Sequence, residues 1–179
     1  MPAKAKGPKF ELRFPLSEVR YWAGRYSYPG SDAEAALLRL KPRIRKSRRL
    51  TKAQLVEICR WKATRSAGNA MRNDPAYVEL ITGLSFSTSD DRARIELLTL
   101  LDGVGWPTAS VILHFFHRES YPILDYRALW SVRAKPPRKY TFDFWWRYTL
   151  YCRRIAKKAG VRMRTLDKAL WQYSKERQR

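Results

Sequence analysis

The sequence predicts an all-α protein, on three observations. Apolar residues recur at three- and four-residue spacing in segment after segment. Ser, Thr or Asp stands just ahead of most of these segments, twice with Glu or Gln three residues later, a pattern that marks helix N-termini. Alternating apolar and polar runs of the kind a half-buried strand needs are almost absent.

Taken in order, residues 1–14 begin with MPAKAKGPKF, a basic, Pro-containing stretch expected to be a flexible arm. Residues 15–179 are expected to form one compact helical domain. LSEVRYWAGRYSY (16–28) reads as a short helix started by Ser17, and Ser31 with Glu34 forms a capping box ahead of AALLRL. KPRIRKSRRL (41–50) carries no acid and reads either as a solvated loop or as a phosphate-facing patch built from Arg45, Lys46, Arg48 and Arg49. Thr51 and Gln54 make a second capping box, opening an amphipathic helix with Leu55, Ile58 and Cys59 on one face. Asp74 and Pro75 read as N-cap and N1 of a helix through Leu80 that Gly83 ends. Thr88 and Asp91 open DRARIELLTLL, whose Ile95, Leu97, Leu98 and Leu101 point to a buried face. A break at LDGVGW precedes the apolar helix PTASVILHFFHR. PILDYRALW reads as a short extended piece ending in an Asp-capped helix, and KPPRKY as a loop. Thr141 starts a helix that Gly160 stops, and Thr165 caps the last one.

Composition narrows the function. Thirty-seven Lys and Arg face sixteen Asp and Glu, a formal charge of +21, while 45% of the residues are hydrophobic and 13% aromatic. The apolar share excludes a disordered basic tail. The charge would repel itself in a compact fold, and a polyanionic partner is its natural explanation: DNA or RNA. No segment has the length and apolarity of a membrane span or a signal peptide, so the expected location is intracellular, and cytoplasmic or nucleoid if the source is a prokaryote. Cys59, Cys152, His114 and His117 lack metal-ligand spacing; the cysteines are expected as reduced core residues and the histidines in satisfied interior or interface positions.

The stretch from Leu97 to Val132 carries the chemistry. Gly103, Val104 and Gly105 make a tight turn between two helices, where missing Cβ atoms let backbone N–H groups approach a ligand. The following helix begins near Pro107 and Thr108, so its N-terminal dipole favours an anion at the turn. In so basic a chain that anion is most simply a nucleic-acid phosphate, and Trp106 sits at the tip. Downstream, Asp125 is a carboxylate at a helix start among Ile123, Leu124, Ala128 and Leu129. It is either a plain N-cap or a catalytic group. Cleavage of an N-glycosidic bond builds positive charge on the sugar, which a carboxylate stabilises while it orients or deprotonates a water.

Leu101, Gly103, Val104, Gly105, Thr108 and Ala109, with Asp125 eighteen positions after Pro107, resemble the helix-hairpin-helix/GPD superfamily of DNA glycosylases over about forty residues. Pro122 and Arg127 fall where that family often has Pro and a basic residue. The resemblance implies a glycosylase-like helical domain with the hairpin at about 89–118. It implies a phosphate grip by Gly103, Val104, Gly105, Trp106 and Thr108, with Arg127 and the 45–49 cations on the backbone, and catalysis by Asp125. The implied partner is double-stranded DNA with a damaged or mismatched base, bound by a monomer. The base would be flipped into a pocket, for which Tyr21, Trp22, Trp61, Asn69 and Tyr126 are candidate walls. Asn69 and Asn73 read either as base-edge readers or as turn caps.

The departures are informative. Bifunctional members carry a Schiff-base Lys where this chain has Pro107, which has no nucleophile, so strand-cleaving lyase chemistry by that residue is excluded. The four-cysteine iron–sulfur motif is absent. Asp102 replaces the usual Pro before the turn. No cofactor is implied for the chemistry, and a structural monovalent cation on the hairpin carbonyls is a family feature compatible with this chain. Two rivals remain: a non-enzymatic helix-hairpin-helix DNA-binding module, and a basic RNA-binding protein.

Overall fold

A computed structural model describes residues 9–29 and 31–178, with side chains from residue 34 onward in the second stretch. Among these residues every regular element is a helix, as the sequence predicts. The expected single domain resolves into two compact units. One is Ser27–Leu124, and the other combines the segment up to Tyr26 with the chain from Asp125 onward.

The inserted unit, Ser27–Leu124, holds α2 (Ser31–Ser47), α3 (Lys52–Lys62), α4 (Thr64–Ala70), α5 (Pro75–Ser87), α6 (Asp91–Leu98) and α7 (Trp106–Phe116). Its core is Leu37, Ile44, Leu55, Ile58, Ile95, Leu98, Ile112 and Leu113, all fully buried. The Thr51–Gln54 capping box forms as predicted, with Gln54 N–H donating to Thr51 Oγ1 and Thr51 N–H to Gln54 Oε1. Asp74 and Pro75 act as N-cap and N1 of α5.

Several boundaries differ from expectation, among them the start of α6, whose N-cap is Asp90 and not Thr88. The 41–50 stretch is not a loop: α2 runs through it to Ser47 with Pro42 inside. Burial of Leu37 and Ile44, two helical turns apart, holds that helix together despite the hydrogen bond Pro42 cannot donate. α5 continues past Gly83 to Ser87, because Thr82, Ser85 and Phe86 beyond and beside it are buried. The helix opened by Thr51 ends at Lys62, and Ala63 in extended conformation separates it from α4.

The terminal unit holds a 3-10 turn (Leu16–Glu18), α1 (Val19–Gly24), α8 (Tyr126–Ser131), α9 (Phe142–Lys158) and α10 (Met163–Arg177). α1 and α8 both pack on α10, around Trp22, Leu129, Trp145, Tyr148, Leu166 and Leu170. Ser17 does not start α1; the chain enters it through the 3-10 turn. α10 begins at Met163, two residues before Thr165. α9 is capped by Thr141 and stopped at Gly160, whose φ of +60° suits glycine, with Val161 N–H closing onto Ala156 O.

The expected flexible arm is in part a docked strand-like segment. Glu11 and Arg13 N–H groups donate to Val132 and Ser131 carbonyls, and Phe10 packs against Phe144, Tyr148 and Tyr151. Residues 1–8 lie outside the described residues.

Candidate functional site

The hairpin is α6, the turn Thr99–Gly105, and α7. Its tightest point is Gly103, with φ +80°, a conformation L side chains rarely adopt. The space is also closed: a Cβ there would lie 2.6 Å from Ser66 O and 2.8 Å from Ala70 N. The turn thus rests on the backbone of α4, which is small-residue rich (Ala67, Gly68, Ala70) for that reason.

Asn73, buried just after α4, fixes the turn from below. Its Nδ2 donates to Asp102 O (2.9 Å) and Ala70 O (3.0 Å), and its Oδ1 accepts from Asp102 N–H (2.9 Å). The side-chain amide pairs with a turn peptide as another backbone would, leaving the Asp102 side chain exposed. Of the two predicted roles for Asn73, the geometry assigns turn fixing. Val104 N–H closes on Leu101 O, and the Val104 side chain is buried between the helices.

Gly105 is the exposed N-cap of α7, with Trp106 half-exposed as its first residue. Among the described residues no acceptor meets the Gly105 N–H. With Pro107 supplying no donor, this end of α7 offers open amide and positive dipole to an anion. Thr108 is buried, so its side chain does not face solvent. The carbonyls of Thr99 and Val104 accept no hydrogen bond among the described residues. They are oxygen ligands of the type a hard cation takes, while among the described residues no cluster of three His, Cys, Asp or Glu occurs.

A polar row on α7 holds the segment that leads to Asp125. Ser110 Oγ accepts from Leu124 N–H (2.8 Å) and donates to Pro107 O (2.7 Å). One turn on, His114 Nδ1–H donates to Tyr121 O (2.7 Å). Tyr121 is itself buried, its hydroxyl shared by Asp91 and the buried guanidinium of Arg94. His114 is half-buried, and its role is specific: it pins the extended piece 121–124.

Asp125 is half-buried and caps α8, its Oδ1 accepting from Arg127 N–H (2.9 Å). In the same unit the Tyr140 phenol is held above its usual range, first by burial and then by the negative charge of Asp125. The carboxylate thus has a tyrosine in electrostatic reach, a neighbour that sequence reading missed inside KPPRKY.

The remaining candidates separate. Arg127 is half-buried with its guanidinium over the Tyr126 and Trp171 rings, 5.1 and 5.6 Å from their centroids. Tyr126 and Tyr21 are exposed. Trp22 is not a pocket wall: it is 3% exposed, packed on Phe14 and Tyr173, with its Nε1–H donating to Glu18. Trp61 packs against Tyr28 and Phe115 in the inserted unit, where Asn69 stands exposed on α4. Of the basic stretch, Arg49 pairs with Glu79 at 3.3 Å and Arg48 donates to Phe86 O at 3.1 Å, while Arg45 and Lys46 are exposed on the last turn of α2.

Comparison with family models, with curated proteins and with solved structures finds no match for this chain.

Proposed function

We propose that this protein is a monofunctional DNA glycosylase that hydrolyses the N-glycosidic bond of a damaged or mismatched base and leaves an abasic site. The observation that carries the reading is the hairpin turn. Gly103 has a left-handed φ and no room for a Cβ, and the exposed amide end of α7 follows at Gly105. A turn held this tightly by Asn73 presents fixed backbone donors, the feature a phosphate grip needs. The +21 charge supplies the attraction for the rest of the strand.

In this reading Asp125 works on the sugar. As the C1′–N bond breaks, the base leaves with the bonding electrons and positive charge develops on the sugar. The carboxylate stabilises that charge and takes a proton from the attacking water. No covalent enzyme–sugar step is drawn, since Pro107 stands at the position a Schiff-base lysine would need. A monovalent cation on the turn carbonyls would add positive charge beside the phosphate.

A second reading has its own observation. Asp125 already has structural work as the cap of α8, which suits a non-enzymatic helix-hairpin-helix module that binds DNA through the same turn. Base release separates the two. Labelled duplexes carrying uracil, T·G, 8-oxoguanine in several pairings, hypoxanthine or a methylated purine are incubated with protein and then treated with alkali. Strand breaks that need alkali and vanish in Asp125→Asn support the glycosylase. Duplex binding without any release supports the module.

A further inference from the structure

The inserted unit contains a cavity of about 300 Å³ that the hairpin and Asp125 do not use. Its floor is apolar and aromatic: Ile44 is fully buried, and Phe86 and Phe116 are 7% and 3% exposed. Its rim is Arg45, Arg48 and Arg118, all exposed, and His117 completes the wall. Among the described residues no carboxylate lines it, and no acid pairs with any of the three arginines.

One ordinary explanation for such arginines is neutralisation of helix C-termini, since α2, α5 and α7 all end here, at Ser47, Ser87 and Phe116. The magnitudes do not balance. Three helix ends supply about −1.5 charges at most, against three guanidinium groups, and among the described residues only Arg48 of the three donates to an end carbonyl, that of Phe86. His117 does not offset the excess. Its Nδ1 accepts the Glu119 N–H at 3.1 Å, so the neutral ring carries its proton on Nε2 as a further donor.

We propose that this cavity binds a single nucleotide unit, its base against Phe86 and Phe116 and its phosphate at Arg45, Arg48 and Arg118. The volume is at the small end of ligand pockets, which run from roughly 300 Å³, so a duplex is excluded and one flat base is accommodated. Inorganic phosphate would leave the aromatic floor unfilled, whereas a base gains from stacking on aromatic rings and guanidinium planes. The inference rests on the nucleic-acid reading of the charge and not on chemistry at Asp125. The nucleotide has two sources, a free mononucleotide or an unpaired nucleotide of a DNA strand.

The test is calorimetric titration of the full chain with dAMP, dTMP, deoxyribose 5-phosphate and inorganic phosphate. A 5′-phosphorylated single strand and a blunt duplex follow. The variants are Arg45→Ala with Arg118→Ala, both on exposed side chains, and Arg48→Gly, which removes a guanidinium at a residue with φ +53° where glycine is at ease. We expect dAMP or dTMP to bind at least tenfold more tightly than inorganic phosphate, and each variant to weaken that binding tenfold or more. Binding of the single strand with none of the free nucleotide, lost in the same variants, supports the site and names the strand as its source. Equal binding of nucleotide, sugar phosphate and inorganic phosphate overturns the proposal, because the floor then contributes nothing. Nucleotide binding that the arginine variants leave unchanged overturns it as well, as does no binding by nucleotide or strand. Blunt-duplex binding reads the hairpin separately: duplex bound with neither nucleotide nor single strand removes the cavity proposal alone, and nucleotide or single strand bound without duplex removes the hairpin reading alone.

Discussion

The side-chain amide of Asn73 and the backbone of Asp102 form a two-way hydrogen-bonded pair, each donating to the other at 2.9 Å across twenty-nine residues of chain. The pair ties the end of α4 to the hairpin turn. Asn73→Ala leaves the Asp102 N–H and carbonyl without that partner in a confined place, and is expected to cost about 2 kcal/mol. Asn73→Asp retains the acceptor but not the donor and should recover part of it. Urea unfolding of both variants, alongside duplex binding, checks this; equal stability of wild type and Asn73→Ala would show the pair is not what holds the turn.

Gly103→Ala is expected to be worse than the loss of Asn73. The new Cβ would sit 2.6 Å from Ser66 O, a backbone atom that cannot swing aside, in a conformation with φ +80°. Left-handed strain alone costs about 1–3 kcal/mol, and the contact adds to it. A drop in melting temperature with a weakened duplex affinity is the expected pair of results. By contrast Gly105→Ala meets only Pro107 Cδ at 3.7 Å and should be tolerated by the fold.

The helical class, half of the expected N-caps and the hairpin were legible because each depends on a local pattern: Thr51 with Gln54, Asp74 with Pro75, Thr141, and the Gly103–Gly105 pair. What was not legible depends on residues far apart. Pro42 signals a break, but Leu37 and Ile44 bury the helix on both sides of it. Trp22 looks like any spare aromatic until Phe14 and Tyr173 enclose it. Asn73 is one of several turn-type residues, and only the approach of Asp102 gives it a role. The small residues Ala67, Gly68 and Ala70 were the available sign that another backbone comes close to α4.

Pro42 allows a direct measure of tertiary override. Position 42 lies well inside α2, where proline removes a hydrogen bond and crowds the preceding turn at a cost of about 3 kcal/mol. Pro42 is exposed, so Pro42→Ala makes no cavity. We expect the variant to be more stable by about 1–3 kcal/mol, with slower amide exchange along α2.

His117 should make the protein acid-sensitive in a defined window. Burial first, then the charge of Arg94, lowers its pKa to about 4 from 6.5, opposed by Glu119 and Asp91, with Arg118 adding to the depression. The unfolded chain therefore binds the proton more readily than the folded one. The His117 contribution is complete above about pH 6.5 and declines as pH falls towards 4, with a slope approaching about 1.4 kcal/mol per unit. Denaturant midpoints from pH 7 to 4.5 for wild type and His117→Gln, with the imidazole followed by NMR, test it. A ring titrating near 6.5 in the folded state would refute the assignment.

Asp125 is the residue on which the two functional readings diverge, and two substitutions separate its possible roles. Asparagine caps a helix about as well as aspartate, so Asp125→Asn should keep the Arg127 N–H bond and change stability by only a few tenths of a kcal/mol. Asp125→Ala removes the cap and should cost about 1 kcal/mol. If the carboxylate stabilises a developing sugar cation, both variants lose base release by several orders of magnitude while their duplex binding persists. If the residue is only a cap, stability orders the variants and no activity distinguishes them. Loss of Asp125's charge should also let the Tyr140 phenol ionise at lower pH in both variants, since that charge helps hold it protonated. A Tyr140 titration that shifts down verifies that the charge is gone, and base release abolished in Asp125→Asn at unchanged melting temperature then places the carboxylate's work in chemistry and not in the helix it caps.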